Sequence, residues 1–409
     1  MHTSFISSAL YEGAEMEVIR EEYLKQLRLG KNHQELIKIV TGIRRCGKST
    51  LMKQFISELR SAGEDSILYI NFEDIGYSEL STFKDLNAYI MNNVNPDKKT
   101  YVFFDEIQRI EGWEKSVNAL MISYDSDIYI TGSNAYLLSS ELSTYLSGRY
   151  VEIKMTPLSF KEYLKLHPAD QNHSLDSRFS DYIWTGSMPM INPDEDESFN
   201  RMILDSIYNT IVVKDIAPRS RIKSVSTLNS IVRFLFSNIG NITSASSIAK
   251  QIESDPRVVE DCLKALEDAY IIEKAERYDI RGKKLLKTLE KYYVEDTGMR
   301  NAILGISSRE DISRQLENTA YLELKRRGYQ ICVGRYGDQE VDFTVMKGDV
   351  REYYQISMSI KDENTYARET RSLNSIKDSY PKTILTLDNM RFTTNEGIKV
   401  KNIIDWLLE

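Results

Sequence analysis

Apolar and polar positions along the chain follow two rhythms. Leu36 to Thr41 (LIKIVT) is a short apolar run closed by a glycine, and after it Leu51, Met52, Phe55, Ile56 and Leu59 recur at helical spacing, which predicts strand, loop and helix. Short runs rich in β-branched and aromatic residues return at 66–72, 101–105, 127–131 and 150–155, with helix-compatible segments between most of them. Strands alternating with helices predict a mostly parallel sheet covered on both faces. From Pro157 the pattern is helical for about sixty residues, interrupted at Gly186, Pro189 and the acidic stretch 193–197, and is read as a helical lid. Three helical segments (225–239, 244–252 and 257–269) and two strands (270–278 and 284–294) around Arg281 and Gly282 make the element order of a winged helix. A helix around 317–327, strands at 329–335, 340–346 and 351–360, a helix near 368–376 and a strand at 383–387 predict a further small α/β domain.

Composition narrows the classes. At about 150 residues per domain, 409 residues predict several domains. With 41% hydrophobic and 28% charged residues the chain is globular rather than fibrous or disordered. No apolar run reaches the ~18 residues of a membrane helix, and Glu12, Glu15 and Glu17 stand where a signal peptide would be basic and apolar, so a cytoplasmic protein with no membrane partner is expected. Cys46, Cys262 and Cys332 are far apart and the four histidines show no ligand spacing, which predicts neither a disulfide framework nor a zinc site. The formal charge of −8 gives the whole molecule no polycationic character, leaving only local basic patches for nucleic acid.

The chemistry concentrates at three strand ends. Gly42 to Ser49 reads G-x-x-x-x-G-K-S between strand and helix, the context in which backbone N–H groups curl round a phosphate. Gly42, Arg45, Cys46, Gly47, Lys48, Ser49 and Thr50 are the expected nucleotide-binding residues, with Lys48 on the β/γ-phosphates and the Ser49 hydroxyl on Mg²⁺. Cys46 is expected to fill the loop rather than act as a thiolate. The strand YVFF ends in Asp105 and Glu106, expected to hold Mg²⁺ through water and to orient and deprotonate the attacking water; an acidic helix start is the alternative. Asn134, or Ser133, at the end of the next strand is placed to contact the γ-phosphate or the water, unless it forms a plain Asx or Ser/Thr turn. Arg149, before the following strand, is either an arginine finger, in its own site or a neighbour's, or a surface arginine.

The segments GIRRCGKST, FFDEIQRIEGWE, ITGSNAYLLSSELSTYLSGRY and TPLSFKEYL, with the turn at 186–189, GDQEVDF and YYQISMSIKDENTYARE, resemble a large bacterial and archaeal group of AAA-type P-loop ATPases with a C-terminal domain of unknown function, over residues 15–409. The resemblance implies a P-loop NTPase core with an extra strand between the nucleotide motifs, a helical lid, a winged helix and a restriction-endonuclease-like terminal fold. It carries Lys48, Ser49, Asp105 and Glu106 over directly and Asn134 and Arg149 less closely. The expected division is an N-terminal arm and helix (1–30), ATPase core (31–156), lid (157–220), winged helix (221–298) and terminal α/β domain (299–409), with residues 1–13 outside the resemblance.

The third helix of the winged helix bears Glu260, Asp261, Glu267 and Asp268 against Arg257 and Lys264, which suits a DNA groove badly. The hairpin is more basic and can touch phosphates, or can serve only packing and protein contacts. In the terminal domain Glu317 and Asp342 match two nuclease carboxylates, but Gln355 and Ser357 stand where such folds need Glu and Lys, so a catalytically degenerate domain is expected. The function expected is Mg²⁺-dependent ATP hydrolysis driving conformational change, as an oligomeric motor or remodeller. A slow nucleotide-dependent switch binding DNA or protein is the alternative, and an ATP-driven nuclease a third.

Overall fold

The computed structural model describes residues 18–135, 148–217, 224–306 and 312–409. The segment 1–13 and the part of the ITGSN…GRY motif between 136 and 147 lie outside the described residues.

Five parallel strands, β1 (Ile37–Thr41), β2 (Ile67–Asn71), β3 (Thr100–Asp105), β4 (Ser126–Gly132) and β5 (Tyr150–Lys154), form a sheet in the order β2-β3-β4-β1-β5. β4 stands between β1 and β3, so the strands feeding the two nucleotide motifs are separated by one strand, as the resemblance implied. β1, β3 and β4 are buried along their whole length, which is why they read as continuous apolar runs. Alternate residues serve opposite layers. Val40, Phe103 and Tyr129 face the helices Glu21–Gly30 and Lys48–Ser61, while Ile39, Val102, Phe104, Ile128 and Ile130 face Phe83–Asn93 and Trp113–Ser123. Lys38, within the apolar run, is wholly buried beneath an ion pair with Asp127.

Helices Phe160–Leu166, Leu175–Thr185 and Glu197–Ile211 follow, the last running into a π-turn over Val212–Ile216. Helices Val225–Ser237, Ala245–Gln251 and Pro256–Asp268 then lead to the hairpin β7 (Ile272–Asp279) and β8 (Lys284–Val294), with the short β6 (Ile242–Thr243) at its side. After Thr297–Leu304 and Ser313–Arg326 come β9 (Gln330–Tyr336), β10 (Gln339–Lys347), β11 (Val350–Ser357), helix Glu363–Ser375, β12 (Lys382–Thr386), β13 (Phe392–Thr393), β14 (Lys399–Asn402) and helix Ile403–Leu408.

Two expectations are corrected. The hairpin does not belong to a domain separate from the terminal one: β7 pairs in parallel with β9, and β6 to β14 make one nine-stranded sheet. The boundary expected at 298/299 therefore falls within a sheet, because a two-stranded hairpin is marginal by itself and here completes its hydrogen bonding on β9. The second concerns β11, expected to bury one face only. Tyr353 and Tyr354 point to opposite sides and both are buried, since helix Glu363–Ser375 covers the side expected to be open.

Candidate functional site

The phosphate-binding loop leaves β1 at Gly42, whose φ of +140° suits only glycine, and a Cβ there would lie 2.0 Å from the Met155 carbonyl. Arg45 also has positive φ, +71°. Gly47 precedes the helix Lys48–Ser61, whose first-turn amides donate to no side-chain cap and suit an anion. Lys48 is buried, its Nζ 3.0 Å from the Gly42 carbonyl and 3.2 Å from that of Ile43, curled within the loop it would leave for a phosphate. Cys46 is fully buried, and desolvation pushes its thiol up, which fits packing rather than redox chemistry. Ser49 lies one residue into the helix and Thr50 lines a neighbouring cavity.

Asp105 ends β3 fully buried; Thr131 donates to one of its oxygens and the Tyr69 hydroxyl to the other at 3.0 Å. Glu106 follows in the left-handed region (φ +58°), a conformation costing a non-glycine residue about 1–3 kcal/mol and favoured at functional sites. Its N–H donates to Thr131 Oγ1 at 2.9 Å, and its carboxylate accepts from Gln108 at 2.5 Å and Ser133 at 3.2 Å. Ser133 and Asn134 follow β4 and are buried, so the three motif ends converge on one sheet edge.

Three residues at this edge escaped the sequence reading. Arg44, inside the loop motif, is bound in bidentate fashion by Asp215 of the π-turn at 2.9 and 3.1 Å, and reaches Glu73 at 3.2 Å and Ser133 at 3.3 Å. The same Asp215 lies 3.2 Å from the Ser133 hydroxyl, competing with Glu106 for its single proton, and its carbonyl accepts from Asn134 Nδ2 at 3.2 Å. Arg20, before the first helix, bonds the Cys46 carbonyl at 3.2 Å and Glu162 at 2.7 Å, tying the loop to the helix Phe160–Leu166. No local pattern announces Asp215 or Arg20, while Arg44 sat in view at a position the motif leaves open.

Arg149 lies elsewhere. Its carbonyl accepts from the Ile37 N–H, and β1 and β5 run in parallel from Ile37↔Tyr150 to Thr41↔Lys154. At ~3.3 Å per residue this puts Arg149 about 17 Å from the edge that carries the loop, at the far side, where it donates to Asn118 at 3.2 Å. An arginine finger in its own site does not fit this position, because β5 runs parallel to β1 and its start lies at the edge opposite the loop.

A cavity of about 860 Å³ opens beside Cys46, Gly47 and Thr50, walled by Leu158, Leu166, His167, Pro189 and Ile191. It is large enough for a nucleoside. In the terminal domain Asp342 accepts from the Ile356 N–H at 2.8 Å, and burial, then neighbouring Glu317, holds its carboxyl well above the usual carboxylate range. Glu317 is taken by Lys291 of β8 at 2.9 Å and by the Tyr293 hydroxyl at 2.7 Å. Lys291, one of the bases that make the hairpin sequence look suited to phosphates, is therefore buried and bridged to Glu317 and Glu340 instead.

The AAA domain family matches residues 34–164, and a domain of unknown function (DUF8612) matches residues 176–310. An uncharacterized protein of Haemophilus influenzae is 40% identical over 401 residues, 96% of this chain and 99% of its own. The chain belongs to the AAA-domain family. A second relative of this AAA protein, an uncharacterized protein of Methanocaldococcus jannaschii, is 31% identical over 382 residues, 87% of this chain and 80% of its own. Among solved structures, Cdc6p of Pyrobaculum aerophilum (12% identity, 74% of this chain, 96% of that one, TM-score 0.32) and AMPPCP-bound DnaA of Aquifex aeolicus (16%, 61%, 89%, TM-score 0.30) are similar. Likenesses that loose say nothing of ligand or partner. No helix among the described residues is long and apolar enough to cross a membrane.

Proposed function

We propose that this AAA protein binds ATP with Mg²⁺ at the edge formed by Gly42–Thr50, Asp105, Glu106, Ser133 and Asn134, hydrolyses it, and passes the change to the helices beyond Pro157. The observation that carries this reading is the convergence of the Lys48 loop and the Asp105–Glu106 strand end on one edge, with a nucleoside-sized cavity alongside. Ser49 and Asp105 are hard oxygen donors of the kind Mg²⁺ takes, one or two of them alongside water and phosphate. The ion, when bound, neutralises charge on the β- and γ-phosphate oxygens. Lys48 adds its ammonium there, and Glu106, fixed by Gln108 and Ser133, takes the proton of the attacking water.

Substituting Lys48→Ala is expected to weaken ATP binding and abolish hydrolysis, whereas Glu106→Gln retains ATP and loses turnover. Equilibrium binding of a fluorescent ATP analogue and phosphate release separate the two steps. Normal turnover in Lys48→Ala would sink the assignment. The far-edge position of Arg149 supports an oligomer in which it serves a neighbour's site, the motor reading over the slow switch. Mixing Arg149→Ala with Lys48→Ala should then restore part of the ATPase, because one mixed interface joins an intact loop to an intact arginine. No recovery in shown mixed oligomers would discard the arrangement. For DNA contact the hairpin divides: Lys291 is buried in ion pairs and Lys274 is paired with Glu290, while Arg281, Lys283 and Lys284 at its turn are exposed.

A further inference from the structure

With Arg149 at the far edge, two buried guanidiniums among the described residues touch this loop: Arg20 bonds the Cys46 carbonyl and Glu162, and Arg44 is the one that reaches Ser133 beside Glu106. Arg44 shares the Ser133 hydroxyl with Glu106: Nη2 to Oγ is 3.3 Å and Oγ to the Glu106 carboxylate 3.2 Å. A guanidinium two hydrogen bonds from the base, on the loop that cradles phosphate, is placed to meet charge on a terminal phosphate. It is held away by Asp215, itself only 3% exposed and 171 residues further along the chain. Asp215 also engages Ser133 and Asn134, so one residue of the helical region gathers three side chains at this edge, Arg44, Ser133 and Asn134. Asp215 stands in a π-turn, closed by the Ala217 N–H to the Val212 carbonyl at 2.9 Å, the kind of insertion that recurs at functional sites because its widened backbone is retained only where it serves a contact.

We propose that Arg44 is the catalytic cation for the terminal phosphate in this chain's own site, and that Asp215 is its positioning residue, surrendering Arg44 when ATP is bound and so freeing the Val212–Ile216 turn. This rests on the ATP reading above and adds to it which residues sense the γ-phosphate and where the signal leaves. Phosphate and Asp215 compete for one guanidinium; a static anchor between the two regions involves no such competition.

The test is hydrogen exchange of peptides spanning 197–217 in the full-length protein, free, with Mg²⁺ and AMP-PNP, and with Mg²⁺ and ADP, beside equilibrium binding of both nucleotides. Exchange is expected to rise with AMP-PNP and not with ADP. Asp215→Asn should show the raised exchange without nucleotide and bind AMP-PNP about tenfold more tightly, with ADP affinity unchanged. Arg44→Gln should keep ADP binding and lose the difference between the nucleotides. Equal exchange with both bound nucleotides, or no gain in AMP-PNP affinity in a folded Asp215→Asn protein, overturns the latch. If Asp215→Asn does not fold, the wild-type exchange comparison decides by itself. Failure of the wild-type protein to bind either nucleotide would instead bring down the ATP reading, and the latch with it.

Discussion

Glu267, on the inner side of the helix Pro256–Asp268, keeps a proton that a solvated glutamate would lose. Burial is the largest cause; Lys274 opposes it and Glu290, Glu273 and Asp268 reinforce it, and the carboxyl is pushed up to about 7 from 4.5. For an acid raised in the folded state, the unfolded chain gives up the proton first as pH rises, so stability falls between about pH 4.5 and 7 and is level above. Glu267→Gln is therefore expected to flatten that part of the pH profile, measured as urea midpoints from pH 4 to 8; an unchanged slope would place the titration elsewhere. The residues legible without a structure were those whose roles are written contiguously. Lys48 and Ser49 follow from one octapeptide, and Asp105 and Glu106 from paired charge at the end of a buried strand, where desolvation is costly unless a cation or a ligand meets it. Arg44 and Asp215 were illegible because their meaning lies in a pairing across 171 positions that no local rhythm encodes. Arg149 was visible as a residue before its strand, but its side of the sheet follows from the parallel pairing of β5 with β1.

Elements tell a similar story one level up. β1, β3 and β4 fell within a residue or so of expectation, because a parallel strand buried on both faces announces itself as an unbroken apolar run. β11 was misjudged because tyrosines suit either surface, and helix Glu363–Ser375 decides which is covered. The terminal carboxylates are engaged from β8 and β11. Burial, then Glu317, raises the Asp342 carboxyl well above the usual carboxylate range, Glu317 is committed to Lys291 and Tyr293, and Gln355 accepts the Asp342 N–H at 3.4 Å. A pair so engaged is a poor Mg²⁺ site. Incubation with single-stranded, duplex and structured DNA or RNA in Mg²⁺ or Mn²⁺, with and without ATP, is expected to give no cleavage; products that vanish in Asp342→Ala would reverse that and make the terminal domain a nuclease.

Across the whole molecule the apolar cores ignore the boundaries suggested by the element order. One runs from Phe55 and Phe103 of the ATPase sheet through Ile207 and Leu235 to Ile272 and Val294, and another joins Phe160 and Phe179 to Phe343 and Trp406. The hairpin β7–β8 contributes to both, Tyr292 to the first and Tyr293 to the second, with Tyr293 stacked on Tyr321 at 4.3 Å. Lys154 of β5 and Lys325 of the helix Ser313–Arg326 meet on Glu273 of β7, adding an ionic tie at the same seam. A chain ending at residue 298 would leave β7 without β9 and expose Ala275 and Tyr293, so it is expected to aggregate where the full chain does not, as light scattering would show; a monodisperse, cooperatively melting product would refute the shared core. The same seam constrains descent. A lineage that trades its terminal domain for a foreign one must bring a strand able to take the place of β9 beside β7, or leave that hairpin edge bare.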